Sequence, residues 1–370
     1  MSKKIMSKTA EKIRGLIQAE GAMPLDAYMQ LALNDPDCGY YRTRNPLGRR
    51  GDFITAPEIS QVFGELIGLW AVDFWQNSGQ AELIHFVELG PGRATLTQDA
   101  MRAAQIVPTF CQTVKIEFVE TSPVLRQQQA ANMAQSANVT WHDDISSLPK
   151  APCIIIANEF FDALPIKQFV QTEKGWQERQ VDWQNGKFVY TTKNCNLCDI
   201  DQTLNIAAYG AVQIGDVIEY NPTGQAIMAQ SARHICTYGG ALLVIDYGYS
   251  KPTAGDSLQA VKQHKPIDPL ATPGEADLTA HVNFAALQAA AEKAGAKTYG
   301  PITQGQFLQQ LGIEARFATL KQAHNKAGDK VAALIAAQHR LTAPEQMGAL
   351  FKVLAITPPT APIPAGFAHD

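Results

Sequence analysis

The sequence predicts an α/β fold built on a doubly wound, mainly parallel sheet. Three observations point there. Residues 83–157 alternate strand and helix patterns, the order expected of a parallel sheet covered on both faces. The apolar, β-branched run Cys153-Ile154-Ile155-Ile156-Ala157 has the composition of a strand buried on both sides. The stretch VELGPGRATL, from Val87 to Leu96, reads as a strand end, a tight glycine turn and a helix start. Such a turn lets a ligand approach backbone that lacks Cβ atoms, beside the unpaired N–H groups of the helix.

The elements follow in order along the chain. Residues 4–20 place Ile5, Ile13, Leu16 and Ile17 on one helical face. Pro24 opens a second helix with Leu25, Tyr28, Met29 and Leu31. Residues 34–57 are rich in Gly, Pro, Asp and Arg and lack a period, so they read as a long ordered loop of the kind that is often functional. A helix is expected over 58–75. Strands are expected over 83–89, 114–120, 139–141 and 153–157, with helices over 94–106 and 123–134 between them. Beyond residue 165 the pattern changes. Segments 166–172, 176–183 and 187–192 read as an antiparallel meander, with Gly175 and Asn185-Gly186 at its turns. A helix (225–236), a buried strand (240–245) and a helix (284–295) come next. Helical patterns over 304–311, 314–321 and 330–341 precede a Pro-rich tail. The chain thus divides into N-terminal helices and loop (1–80), a core (81–165 and 236–357), an inserted meander and helix (166–235) that would contact substrate or a second subunit in a homodimer, and a tail (358–370).

Composition bounds the function. The chain has 370 residues, 46 % hydrophobic and 18 % charged, with net charge −4. It can bury a full core, and it has no general electrostatic attraction for nucleic acid or an anionic membrane. No apolar stretch approaches the roughly 20 residues of a membrane span. The N-terminus is basic and then amphipathic. Glu11 and Glu20 speak against a mitochondrial presequence, and there is no apolar core for a secretory signal, so a cytoplasmic protein is expected. The six cysteines are scattered, and Cys195-x-x-Cys198 has no second pair; no metal site is expected.

The glycine turn can be assigned a ligand class. A dinucleotide fingerprint needs a third glycine where this chain has Thr95. The looser pattern acid-x-Gly-x-Gly, met by Glu88, Gly90 and Gly92, suits S-adenosylmethionine, with the acid holding the ligand's ammonium. Further acids fall at strand ends, where ligands sit in open α/β sheets. Glu120 could accept both ribose hydroxyls, and Asp143 or Asp144 the adenine amino group. Each could equally cap a local turn. Asn158-Glu159-Phe160-Phe161-Asp162-Ala163-Leu164-Pro165 then places two acids and two aromatics directly after the most apolar strand. Glu159 and Asp162 are expected to bind or orient a cationic substrate. The alternative is that Asp162 caps a helix and Glu159 is solvated. Methyl transfer needs in-line positioning more than acid–base chemistry, and carboxylates suit a guanidinium acceptor.

Five ordered motifs together resemble the MidA family of methyltransferases: RRGDFITAPEISQVFGELIG (Arg49–Gly68), VELGPGRATL, ANEFFDALP (Ala157–Pro165), LLVIDYGY (Leu242–Tyr249) and DLTAHVNF (Asp277–Phe284). The resemblance covers roughly residues 25–320, most of the chain. The resemblance implies a class I methyltransferase fold, Rossmann-like with a seven-stranded sheet. It implies S-adenosylmethionine as cofactor and a protein arginine as acceptor, in the mitochondrial relative a core subunit of respiratory complex I. Carried over by motif, Glu88, Gly90, Pro91 and Gly92 would bind the aminoacyl end, Glu120 the ribose and Asp143 or Asp144 the adenine. Asn158, Glu159, Asp162 and His281 would line the transfer site. Residues 51–58 would form a lid, with Asp52 and Thr55 reaching the cofactor. A binding protein without catalysis and a small-molecule methyltransferase are the competing readings.

Overall fold

Among the residues described by this computed structural model, 6–43, 55–134, 138–195, 204–324 and 326–367, the larger of two compact units holds an eight-stranded sheet, with seven strands in one path and the short Val282–Asn283 paired beside it. The larger unit comprises 54–161, 226–250 and 282–370. The strands of the path are β1 (Ile84–Leu89), β2 (Val114–Val119), β3 (Val139–His142), β4 (Cys153–Asn158), β5 (Gly240–Tyr249), β6 (Lys297–Thr303) and β7 (Phe351–Thr357). Their order is β3-β2-β1-β4-β5-β7-β6. β7 runs antiparallel to both of its neighbours, and the other adjacent pairs are parallel. This is the class I methyltransferase sheet. The strand order reverses between β1 and β4, which makes the carboxyl ends of these strands the natural ligand crevice.

The central strands are buried along their whole length, which is why they read as apolar runs. One face of the sheet carries Phe86, Phe118, Ile154, Ile156, Leu243 and Val353 into a core shared with the helix Gln61–Asn77. Gly64 and Gly68, one turn apart on that helix, set its approach to the helix Thr95–Ala104. An added Cβ at Gly68 would lie 2.4 Å from the Ala100 carbonyl oxygen, and one at Gly64 2.7 Å from Asp99 Cβ. Glu65, buried on the same helix, is paired with Arg102 at 3.1 Å and Arg316 at 2.7 Å. The helix that follows the glycine turn is thereby held by close backbone packing.

The smaller unit comprises 1–53, 162–225 and 251–281. Helices Lys8–Glu20 and Leu25–Asn34 pack Ile13, Ile17, Leu25, Tyr28 and Met29 against Ile166, Val181 and Leu278. The meander strands are Lys167–Thr172, Gly175–Gln184 and Lys187–Asn194. Val217–Tyr220 pairs with Lys167–Thr172, and Met23–Pro24 pairs with Gly175–Gln184. A separate three-stranded sheet joins Gln259–Lys262, Lys265–Ile267 and Asp277–Thr279.

The compact units cut the chain differently from the four-part division read from sequence. The helix Gln61–Asn77 belongs to the larger unit, because its apolar faces are spent on the sheet. Most of Pro222–Tyr238 also falls there, and residues 251–281 join the insertion. Strands β6 and β7 lay among segments given helical patterns or none. β7 is a short apolar run, and periodicity alone does not separate such a run from a helix segment. Within the long loop, Tyr40–Thr43 and Ala56–Ile59 are helical. Residues 44–54, which include Asp52, lie outside the described residues. Among the described residues no helix is long and apolar enough to cross a membrane.

Candidate active site

The glycine turn closes the carboxyl end of β1. Gly90 (φ +60°) and Gly92 (φ +52°) are left-handed, and so is Ala94 (φ +62°). Gly90 N donates to Val119 O at 3.0 Å, and Ala94 N to Pro91 O at 2.7 Å. A Cβ at Gly90 would meet the Phe160 ring at 3.0 Å. Glu88 departs from expectation. It is 4 % exposed and accepts a hydrogen bond from the Thr97 hydroxyl in the first turn of the next helix. Burial pushes its carboxyl up to about 8. In this arrangement Glu88 ties the end of the strand to the first turn of the helix.

Glu120, just past β2, is buried and bonded on both oxygens. Oε1 accepts from Ser122 N at 2.7 Å and Oε2 from Gln129 Nε2 at 3.2 Å. Burial pushes its carboxyl up, against the pull of these donors. Gln129 is the residue that sequence reasoning missed. Fully buried, it also donates to Gly92 O at 2.9 Å and accepts from Trp141 Nε1 at 2.8 Å. One amide therefore joins the glycine turn, the acid after β2 and strand β3. Nothing in the run Gln127-Gln128-Gln129 marks which glutamine would do this. Arg126 donates to Glu120 O at 2.6 Å and His142 O at 2.9 Å, and pairs with Asp143 at 2.7 Å. Asp143 is exposed. Asp144 caps the short turn Ile145–Ser147, accepting from Ser146 N at 2.7 Å; the Ser146 hydrogen bonds hold its carboxyl low. Of the two, Asp144 takes the capping alternative and Asp143 keeps a side chain open to a base.

At the end of β4, Glu159 is left-handed (φ +49°) and its N donates to Ile245 O at 2.9 Å. Its carboxylate accepts from Ala56 N at 3.0 Å and from Asn158 Nδ2 at 3.4 Å. It thus caps the helix Ala56–Ile59. Thr55 sits at the N-cap position with no side-chain cap bond. Glu58, at the other end of that turn, accepts from the Thr95 hydroxyl at 2.8 Å and from Arg93 at 3.4 Å. The segment is held from both ends, to β4 and to the glycine-turn helix. Asp246 on β5 is fully buried and accepts from Phe160 N (3.2 Å), Phe161 N (3.0 Å) and Tyr247 N (2.9 Å). It shapes the turn after β4. Its signal was an acid closing an apolar strand. Asn158 is buried, and its Oδ1 has no hydrogen-bond partner among the described residues.

Asp162 and His281 belong to the smaller unit. Asp162 is buried, and its carbonyl accepts from Ala280 N at 2.9 Å. His281 N donates to Ser257 Oγ at 2.8 Å, and burial lowers its imidazole below the usual range. The structure thus gathers Gly90, Pro91, Gly92, Glu120, Asp143, Thr55 and Glu159 at the strand ends of the larger unit, and Asp162 and His281 in the smaller one.

These residues fit an adenosyl cofactor by the chemistry of the set: a left-handed backbone turn, an acid with two acceptor oxygens at the next strand end, and an exposed acid after the third. Comparison with known proteins agrees. The family model described as "Putative S-adenosyl-L-methionine-dependent methyltransferase" matches residues 66–302. The mitochondrial protein arginine methyltransferase NDUFAF7 of Xenopus tropicalis is 33 % identical over 95 % of this chain and 87 % of its own. The Drosophila melanogaster homologue is 34 % identical over 94 % and 84 %. A Burkholderia thailandensis protein solved with S-adenosyl-homocysteine bound superposes with a TM-score of 0.83 at 27 % identity, covering 98 % of this chain and 92 % of that one. The relatives are mitochondrial proteins, and this overturns the cytoplasmic location read from the N-terminal segment. That reading leaned on Glu11 and Glu20, which lie in the folded helix Lys8–Glu20. Its composition answers to packing and carries no address.

Proposed function

Since the chain belongs to the MidA family of S-adenosylmethionine-dependent methyltransferases, we propose that it methylates an arginine side chain of a protein substrate. One observation carries the choice of acceptor: relatives named as protein arginine methyltransferases align with 92–96 % of the chain. A homologue of the complex I core subunit modified by the mitochondrial relative is the first substrate to test.

When bound, the cofactor supplies an electrophilic methyl group on a positively charged sulfur. The chain's own residues do the rest. Gly90, Pro91 and Gly92 receive the aminoacyl end on bare backbone, Glu120 accepts the ribose hydroxyls, and Asp143 accepts from the adenine amino group. Glu159 is a positioning residue, because its carboxylate holds Ala56 and so the segment that carries Thr55. Asp162 orients the cationic acceptor. The guanidinium nitrogen forms its bond to the methyl carbon as the carbon–sulfur bond breaks, and one N–H proton must then leave. His281, whose imidazole burial lowers below its ordinary range, is the base suited to take it.

Transfer of labelled methyl from S-adenosylmethionine into whole-cell lysate tests this. Label on an arginine of a protein supports it. Label confined to small molecules, or tight cofactor binding with no label at all, overturns it in favour of a small-molecule enzyme or a non-catalytic binding protein.

A further inference from the structure

Strands β1, β2 and β3 turn His85, Glu117 and His142 to the face of the sheet away from Phe86, Phe118 and Trp141. Glu117 is buried between the two rings. Its Oε1 lies 2.8 Å from His85 Nδ1 and its Oε2 2.9 Å from His142 Nε2. Burial pushes the Glu117 carboxyl up, but the hydrogen bonds from His85 and His142 outweigh it and hold the group below the ordinary range. A carboxylate only accepts, so both rings donate to it. Between two neutral rings a buried carboxylate would stay uncompensated, and one imidazolium cancels it.

His142 also reaches the turn that follows β3. Its Nδ1 lies 3.1 Å from Ser147 Oγ, and that hydroxyl donates to Asp144 O at 2.8 Å. A hydroxyl has one hydrogen. While Asp144 O receives it, the Ser147 oxygen can only accept, and Nδ1 must carry a proton. Both ring nitrogens then donate, which is the imidazolium. A neutral ring would take the Ser147 hydrogen on Nδ1 and release Asp144 O. The proton therefore decides how firmly the turn Ile145–Ser147 is tied to the sheet. Asp143 lies between ring and turn. The His142 carbonyl accepts from Glu120 N at 3.0 Å and from Arg126 at 2.9 Å. The other titratable and charged groups about the triad are Asp144 in the turn and the Arg126–Asp143 ion pair. On β4, Cys153 stands beside Glu117, and from the helix Pro222–Tyr238 His234 stands beside His85, 3.2 Å from the Cys153 thiol.

We propose that His142 is a positioning residue for the adenosine end of the cofactor, acting as an imidazolium that pins the turn after β3 to Glu117 and so sets Asp143 relative to Glu120. The inference rests on the reading that Glu120 and Asp143 receive the adenosine, and it adds the proton on which their placement depends. Cofactor and proton favour the same tied turn, so each strengthens the binding of the other. Cofactor affinity falls as pH rises through the imidazole range.

Calorimetric binding of S-adenosyl-homocysteine to the full chain, from about pH 6 to about pH 8, tests this. Wild type is expected to bind about fivefold more weakly at the upper end and to take up a fraction of a proton on binding. His142→Gln, which can still donate to Glu117 but holds no charge, should lose most of that dependence. Ser147→Ala, which keeps the ring and removes the acceptor of its second N–H, should lose it too. Glu88→Gln should keep it, although burial pushes the Glu88 carboxyl up to about 8. A wild-type affinity that does not change with pH, or a profile shared by wild type and His142→Gln, overturns the proposal. An equal loss at every pH in His142→Gln marks a merely structural ring and overturns it as well. Glu120→Gln and Asp143→Asn separate the two levels. Wild-type affinity in both removes the adenosine placement and the proposal with it. Weakened binding in either, with the wild-type profile intact in His142→Gln, removes the proposal alone.

Discussion

The strand-end acids of the larger unit and the acids beside Tyr41 in the smaller one have different partners. In the larger unit four acids at or beside strand ends face neutral donors: Glu88 the Thr97 hydroxyl, Glu120 the Ser122 N–H and Gln129, Glu159 the Ala56 N–H, and Asp246 three backbone N–H groups, whereas Glu65 on the packing helix meets Arg102 and Arg316. The four strand-end carboxyls organise backbone. In the smaller unit Asp162 and Asp277 act on one phenol, that of Tyr41, which donates to Asp277 Oδ1 at 2.7 Å. An acid at a strand end therefore says little by itself. Its donors decide whether it builds a turn or receives a cation.

The largest effect should come from the acid most completely used by backbone. Asp246→Ala strands three buried N–H groups and should cost about 4 kcal/mol in denaturant unfolding. Cofactor affinity should fall with it, because the turn after β4 loosens. A cost below about 1 kcal/mol would break the contrast between the two sets of acids.

Glu88 gives an effect nearly as large that depends on pH. Its folded carboxyl titrates near 8 against an ordinary 4.5, so the fold favours the protonated form. That contribution is fully present below about 4.5, declines as pH rises and is gone above about 8. Wild type should lose a few kcal/mol of stability across the window, at most about 5. Glu88→Gln, which still accepts from Thr97, should lose almost none from this site. Parallel stability–pH curves for the two proteins would show that Glu88 is charged in the fold. Gln129→Ala comes next. It deprives Glu120, Gly92 O and Trp141 of one shared partner and should cost about 2 kcal/mol. Cofactor affinity measured by calorimetry should fall about tenfold. Wild-type affinity would show that the amide does not order the pocket.

How far the sequence could be read follows the same division. Strands and turns whose signal is local were legible: the glycine turn, the apolar strand β4 and the meander marked by Asn185-Gly186. Glu120 and Asp143 were legible as positions, because strand ends are where ligands lie. Gln129 and Asp246 were not singled out, since their importance comes from partners 37 and 86 residues away. For Asp144 and Glu159 the sequence leaves cap and ligand contact open for a related reason. Whether a carboxylate caps a turn or meets a ligand depends on which N–H reaches it, and for Glu159 that N–H belongs to Ala56, 103 residues distant. The edge strand β6 and the antiparallel β7 escaped because their pairing is with each other and with β5, not with a neighbour in sequence.

Glu159 is where the contrast can be sharpened with the smallest perturbation. The sequence suggests a counter-ion for the acceptor, and the geometry makes the residue a cap. Glu159→Gln keeps an acceptor oxygen for Ala56 N–H and removes only the charge. A cap should notice little: stability within about 0.5 kcal/mol, and methyl transfer within about threefold of wild type. Glu159→Ala, which removes the acceptor, should cost about 1 kcal/mol and weaken cofactor affinity, because the segment carrying Thr55 loses its anchor. A counter-ion would behave in the reverse order. Glu159→Gln would then raise KM for the protein substrate as strongly as Glu159→Ala, with stability and cofactor affinity untouched. If that pattern is seen, Glu159 receives charge from the acceptor and is not the cap of the Ala56–Ile59 helix.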